Sequence, residues 1–158
     1  MKIGVLSDTH LKQATRPLKT IMETYFRDAD LILHAGDMVA LPVYDFLLSW
    51  PIEAVQGNMD DWNLKSLLPA KRTLTLGGFH IGLAHGWGPP GGLEDRLLSE
   101  FSDINCLVYG HSHKPANHWV NDVLCFNPGS ASGIGFIGKP TIGLLHLTSE
   151  IRGEIIDI

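Results

Sequence analysis

At 158 residues the chain fits one domain, long enough to bury roughly 70% of its unfolded surface and so to build a core without staples. Apolar residues at 44% and charged residues at 18% exclude a disordered chain, and a formal charge of −5 with no run of Lys or Arg argues against polymeric nucleic acid as a partner. No stretch reaches the apolar length of a membrane span, and the polar start "MKIGVLSDTH" is no signal peptide, so a cytoplasmic location away from membranes is expected.

In chain order, "KIGVLSD" reads as a short buried strand entering a polar turn. "LKTIMETYF" places Leu18, Ile21, Met22, Tyr25 and Phe26 on one helical stripe, with Pro17 at its start. "DLILHAGD" is a second strand, "PVYDFLLSW" a short helix opened by Pro42, and "PIEAVQGN" a third strand. That alternation predicts a parallel sheet with covering helices. "KRTLTLGGFHIGLAHG" predicts a hairpin turning at Gly77-Gly78, "GGLEDRLLSEF" a helix, and "NCLVYGH" a buried strand. "HWVNDVLCFNPG" predicts a second hairpin at Asn121-Asp122, and "TIGLLHLTS" with "RGEIIDI" two more strands. The sum is an α/β fold of two sheets packed face to face with helices outside, in one domain over 1–158. Cys106 and Cys125 each lie in an apolar run and read as buried free thiols, neither a ligand nor a nucleophile.

The residues that follow the strands carry the chemistry. They are Asp8 and His10 in "SDTH", Asp37 in "HAGD", Asn58 in "QGN", His85 in "LAHG", and His111 with His113 in "YGHSH". Ligands of α/β sheets gather outside the carboxyl ends of strands, so these five segments should converge. In extended chain residues i and i+2 point the same way, which would pair Asp8 with His10 and His111 with His113. Carboxylate, amide and imidazole donors suit Mn²⁺, Fe, Zn²⁺, Co²⁺ or Ni²⁺, and seven donors exceed the needs of one tetrahedral ion but fit two. Two ions about 3.5–4 Å apart clamp a phosphoryl group for in-line displacement by a bridging hydroxide.

"SDTH", "HAGD", "GNMD", "LAHG" and "YGHSH", in this order, resemble the five motifs of the calcineurin-like metallophosphoesterases, in particular their small single-domain phosphodiesterase branch. The resemblance runs from Asp8 to about Ser130, where "FNPGS" also recurs. It implies a four-layer αββα sandwich of two mixed sheets. It also implies one divalent ion on Asp8, His10 and His113, another on Asn58, His85 and His111, and Asp37 bridging, with Asp37, Asn58 and His85 as the catalytic set. Manganese is the first expectation, with iron, zinc, nickel and cobalt as alternatives. The implied substrate is a small phosphodiester; a homo-oligomer is left open.

One position departs from the family pattern. Many members carry His directly after Gly-Asn, paired with the next acidic residue and able to protonate the leaving oxygen; here the residue is Met59, which holds no such proton. Asp60 would then lack its usual partner. The alternatives are a scaffold of the same fold with weak or no activity, or a phosphomonoesterase or nuclease at the same site.

The remaining histidines read plainly: His80, His118 and His146 lie in strands without a motif, and His34 either packs or hydrogen-bonds near the site. "GIGFIG", from Gly133 to Gly138, spells a dinucleotide fingerprint but is followed by Lys139-Pro140 and a strand where a helix should open, so a loop is expected. Trp87, in the Pro/Gly-rich segment "HGWGPPGG", is a candidate to stack on a leaving group.

Overall fold

Burial on both faces of its inner strands explains the architecture of this computed structural model, which describes residues 1–133 and 139–158. In β1 (Lys2–Leu6), Ile3 and Val5 face one core while Leu6 faces another. The first sheet runs in the order β10-β9-β1-β2-β3, with β2 at Leu31–His34, β3 at Ile52–Ala54, β9 at Thr141–Leu147 and β10 at Ile151–Asp157. Strands β1, β2 and β3 are parallel, while β9 is antiparallel to both β1 and β10.

The second sheet runs β4-β5-β6-β8-β7, with β4 at Lys71–Leu76, β5 at Phe79–Ala84, β6 at Cys106–Val108, β7 at Ala116–Val120 and β8 at Val123–Asn127. The hairpins β4/β5 and β7/β8 are antiparallel and turn at the two predicted dipeptides; Gly77, Gly78 and Asn121 all take positive φ. The β5, β6 and β8 strands are parallel and point their carboxyl ends the same way.

Between the sheets lies one apolar layer, with Ile3, Val5, Leu33, Ile81, Leu83, Val108 and Phe126 at its heart. A second layer sits under α1 (Arg16–Thr20) and α2 (Leu41–Leu47), and a third under α4 (Leu93–Leu98), giving helix, sheet, sheet, helix. Thr15 caps α1 by accepting from Leu18 N, and the helix continues as a wider π turn over Ile21–Tyr25. That turn keeps the predicted stripe on the core, since Leu18, Ile21, Met22 and Phe26 are all buried.

A helix the sequence pattern does not announce, α3 (Trp62–Leu67), follows the third strand. It buries only Leu64, so it has no apolar stripe, and it is set by the Asp61 carboxylate accepting from Leu64 N at 2.9 Å. Among the described residues no helix is long and apolar enough to cross a membrane. Most of the glycine fingerprint, residues 134–138, falls outside the described residues.

Candidate metal centre

Six strands end at one place because β1, β2 and β3 on one sheet and β5, β6 and β8 on the other leave their carboxyl ends side by side. The turns beyond them are locked to each other by backbone bonds that prolong the sheets. Asp8 N donates to Gly36 O, His10 N to Asp37 O and Gly110 N to His85 O, at 3.0, 3.0 and 3.1 Å.

All seven sequence-predicted residues are gathered there. One group comprises Asp8, His10, Asp37 and His113, whose donor atoms lie within 4.8 Å of one another. His113 Nε2 is 3.1 Å from Asp8 Oδ1 and 3.2 Å from His10 Nε2, and His10 Nε2 is 3.7 Å from Asp37 Oδ2. On the other side of Asp37, His85 Nε2 stands 3.3 Å from Asp37 Oδ2 and 3.1 Å from Asn58 Oδ1, and His111 Nδ1 lies 2.9 Å from the same Asn58 oxygen. Asp37 is the shared member of the two halves.

The pairing rule read from extended chain does not hold. Asp8, His10, His111 and His113 all take positive φ, between 46° and 67°, and Asp37 does so at 58°. Each pair converges through two left-handed turns, not through the pleat of a strand. Outside glycine such conformations are unfavourable by about 1–2 kcal/mol each, and they cluster where surrounding structure over-determines them. Here five of the eight non-glycine residues with positive φ among the described residues belong to the seven-residue set.

The surrounding bonds supply that constraint. Ser130 Oγ donates to Asp8 O at 2.9 Å and Ser7 Oγ to Asp8 Oδ2 at 2.6 Å. Asn127 donates to Gly110 O and accepts from Gly129 N, so "FNPGS" braces the "YGHSH" turn. Gly110 is a necessity, since a Cβ there would collide with Ser7 Oγ and Asp8 Oδ2. His34 is neutral: Gly36 N donates to its Nδ1, leaving Nε2–H to donate to Thr9 Oγ1, whose own hydroxyl points to Asp37 O at 3.5 Å. Complete burial pushes its pKa down to about 3. Of the two earlier readings for His34, support of the site is therefore what the structure shows.

The donor set fits cations on three grounds. Asp8 Oδ1 is buried and accepts no hydrogen bond. His85 Nδ1–H is committed to Ala35 O at 2.7 Å and His111 Nε2–H to Gly88 O at 2.8 Å. The remaining nitrogen of each ring faces the carboxamide oxygen of Asn58; in the neutral ring that metal ligation needs, that nitrogen would offer a lone pair, and a cation between ring and carboxamide would relieve the opposition. Burial opposes ionisation of Asp37, but hydrogen bonding and charge from His85, with the Met59 amide, overcome it and hold the carboxyl below the usual range.

Sequence reasoning treated Met59 only as a missing proton donor. Its side chain is 58% exposed, yet its backbone N donates to Asp37 Oδ1 at 2.7 Å and so helps fix the shared carboxylate. Asp60 is not left without partners. It is 4% exposed, with Oδ1 accepting from Val39 N at 2.6 Å and Oδ2 from Gly57 N at 2.7 Å, which ties the third strand's turn to the second's. Burial pushes the Asp60 pKa up and the two amides pull against that. Trp87 is 47% exposed and lines a cavity of about 330 Å³ together with Asn58, His85, Lys65 and Gln56.

Comparison with known proteins gives a consistent picture. Residues 1–150 match the profile of the calcineurin-like phosphoesterase superfamily domain. The chain is 34% identical to a probable metallophosphoesterase of Methanothermobacter thermautotrophicus, over 99% of this chain and 92% of that protein. It superposes on a solved archaeal phosphodiesterase with a TM-score of 0.80 at 26% identity, over 99% of this chain and 100% of the other. Vps29 of Chaetomium thermophilum shares the fold, with a TM-score of 0.79 at 21% identity over 100% and 93% of the two chains.

Proposed function

The chain belongs to the calcineurin-like phosphoesterase superfamily, and from that membership and the donor set at the strand ends we propose that it hydrolyses small phosphodiesters at a centre of two divalent cations. The observation that carries the reading is the double commitment of His85 and His111. Each spends one ring nitrogen on a backbone carbonyl and turns the other toward Asn58, with Asp37 shared by both halves of the set. The similarity to a solved archaeal phosphodiesterase over the whole chain supports the choice of reaction.

Bound cations supply Lewis acidity at phosphorus and activate a water at neutral pH. The chain does the rest. Asp8, His10 and His113 would hold one cation and Asn58, His85 and His111 the other, with Asp37 available to both. The Met59 amide keeps the Asp37 carboxylate from rotating away, and the Thr9 hydroxyl holds the Asp37 backbone carbonyl. His85 and His111 orient and do not shuttle protons, because their second nitrogens are already bound to Ala35 O and Gly88 O. No proton donor stands at position 59, where the thioether side chain points to solvent, so departure of a poorly stabilised leaving oxygen goes unassisted. That favours diesters with good leaving groups, and Trp87 beside the 330 Å³ cavity offers a face for an aromatic one.

Hydrolysis of matched aryl phosphate mono- and diesters across Mn²⁺, Fe²⁺, Zn²⁺, Co²⁺ and Ni²⁺ tests this. Wild type should prefer the diester, and Asp37→Ala or His113→Ala should abolish turnover with loss of bound metal. Met59→His should raise monoester turnover, by about 10²-fold at the low end of general-acid effects because Asp60 is already engaged. Full turnover in Asp37→Ala would sink this centre as the place of reaction, and no diester hydrolysis with any metal would sink the enzyme reading in favour of a scaffold.

A further inference from the structure

On the outer face of the second sheet, away from the strand ends, three unlike donors meet. His118 and Cys125 are directly opposed across the β7/β8 hairpin, so their side chains leave the sheet on the same face as neighbours. Helix α4 packs on that face and brings Glu94 over them. The Cys125 sulfur, the His118 ring and a Glu94 carboxylate oxygen offer one atom each within 4.8 Å of one another.

We propose that Glu94, His118 and Cys125 form a separate binding site for one Zn²⁺ ion per chain. Thiolate, imidazole and carboxylate are the three ligand types zinc takes, and three protein donors leave a fourth position for solvent. Solvent reaches that position past His118, whose side chain is 49% exposed.

Glu94 is also held as a ligand should be. The Tyr109 hydroxyl donates to its Oε1, while Oε2 faces His118 Nε2 at 3.0 Å. One carboxylate oxygen is thus fixed from behind and the other is presented to the cluster, the arrangement that orients metal ligands elsewhere. The route in is from the His118 side, where the imidazole is half exposed while the Cys125 thiol is buried. The cation displaces the thiol proton of Cys125, which is released to solvent, and takes the place of the hydrogen between Glu94 and His118, the neutral imidazole ligating through Nε2 with its proton on Nδ1.

Such an ion staples α4 to the edge hairpin. Arg96 of the same helix donates to Trp87 O and Gly91 O, at 3.0 and 2.9 Å, and so holds the segment whose Gly88 O orients His111. The site is therefore structural for the wall of the metal centre, without sharing a ligand with it.

Cobalt reports on this site alone, because no cysteine belongs to the strand-end set and only a thiolate gives a near-ultraviolet sulfur-to-cobalt charge-transfer band. Protein stripped by a chelator is titrated with Co²⁺, then competed with Zn²⁺. The band should appear in wild type, saturate at the intensity of one thiolate-bound ion per chain whatever cobalt the strand ends take up, and vanish as Zn²⁺ is added. It should persist in Cys106→Ser, whose thiol lies in the layer between the sheets, and be lost in Cys125→Ser. His118→Ala leaves a surface residue changed and the fold intact, and Tyr109→Phe should weaken Co²⁺ binding by about 10–100-fold, as loss of a ligand's supporting bond does. No band in wild type, a band that survives Cys125→Ser, or unchanged affinity in both His118→Ala and Tyr109→Phe overturns the proposal. None of these outcomes depends on phosphodiester turnover.

Discussion

Replacing Gly57 by alanine removes no candidate ligand, yet it should disable the centre. Gly57 does not sit in the left-handed region, so the backbone tolerates alanine; the obstacle is space. An added Cβ would fall well inside 3 Å of Asp37 Oδ1, N and Cγ, a separation real Cβ atoms essentially never show. The loop cannot simply back away, because Gly57 N donates to Asp60 Oδ2 at 2.7 Å and that carboxylate also holds Val39. Asp37 must therefore shift, by on the order of 1 Å, and a misplacement of that size at reacting groups lowers turnover by roughly 10²-fold. Overpacking of this kind destabilises by about 1–3 kcal/mol, and at about 2–4 °C per kcal/mol for a chain of this length the melting temperature falls by about 2–12 °C. The assay pairs diester hydrolysis with metal content by mass spectrometry and thermal melting. Gly78→Ala is the control, since its φ of 86° strains an alanine backbone while nothing lies within 4 Å of the added carbon; it should melt lower and keep its activity. Wild-type metal content and turnover in Gly57→Ala would refute the argument that Asp37 is fixed by this close approach.

Asp60→Asn sets an amide N–H₂ against one of two backbone donors and should lower unfolding free energy in urea by about 1–3 kcal/mol; unchanged stability would show that the carboxylate is not the brace its bonds to Gly57 and Val39 imply. His34→Gln should flatten the acid limb of stability in metal-free protein. Native His34 stays neutral down to about pH 3 whereas the unfolded ring protonates near 6.5, so its share of stability is complete above about 6.5 and is lost as pH falls toward 3. Wild type minus variant should therefore slope by up to about 1.4 kcal/mol per pH unit in that window, and parallel curves would contradict a neutral buried ring.

Much of the architecture was legible because local rules agree with the global packing. Gly77-Gly78 and Asn121-Asp122 mark turns that need positive φ, and the stripe from Leu18 to Phe26 names its own core face. The seven strand-end residues could be collected because polar groups closing apolar runs stand out. What could not be read was how they meet: nothing in "SDTH" or "YGHSH" signals two left-handed residues in each, since that conformation is imposed by partners a hundred residues away, such as Ser130 on Asp8. Helix α3 was missed because one buried leucine makes no period. Glu94, His118 and Cys125 were passed over for the same reason at longer range: no spacing links a helix start to two strands of a hairpin.

The left-handed ligands also bear on what kind of protein this is. Five such residues store on the order of 5–10 kcal/mol, a sum comparable to the net stability of a whole domain. The fold sustains it through a chain of bonds from Gly36 through His34 and Thr9 to Asp37, through Ser7 and Ser130 to Asp8, and through Asn127 to the turn that carries His111. That investment places the donor atoms before any cation arrives, so binding need not reorganise the chain and the ions meet a preset geometry. A protein that used this face only as a surface for another chain would gain stability by relaxing Asp8, Asp37 and His113 toward ordinary turns. Retention of the strain together with every donor is the physical argument for a centre that works on a substrate.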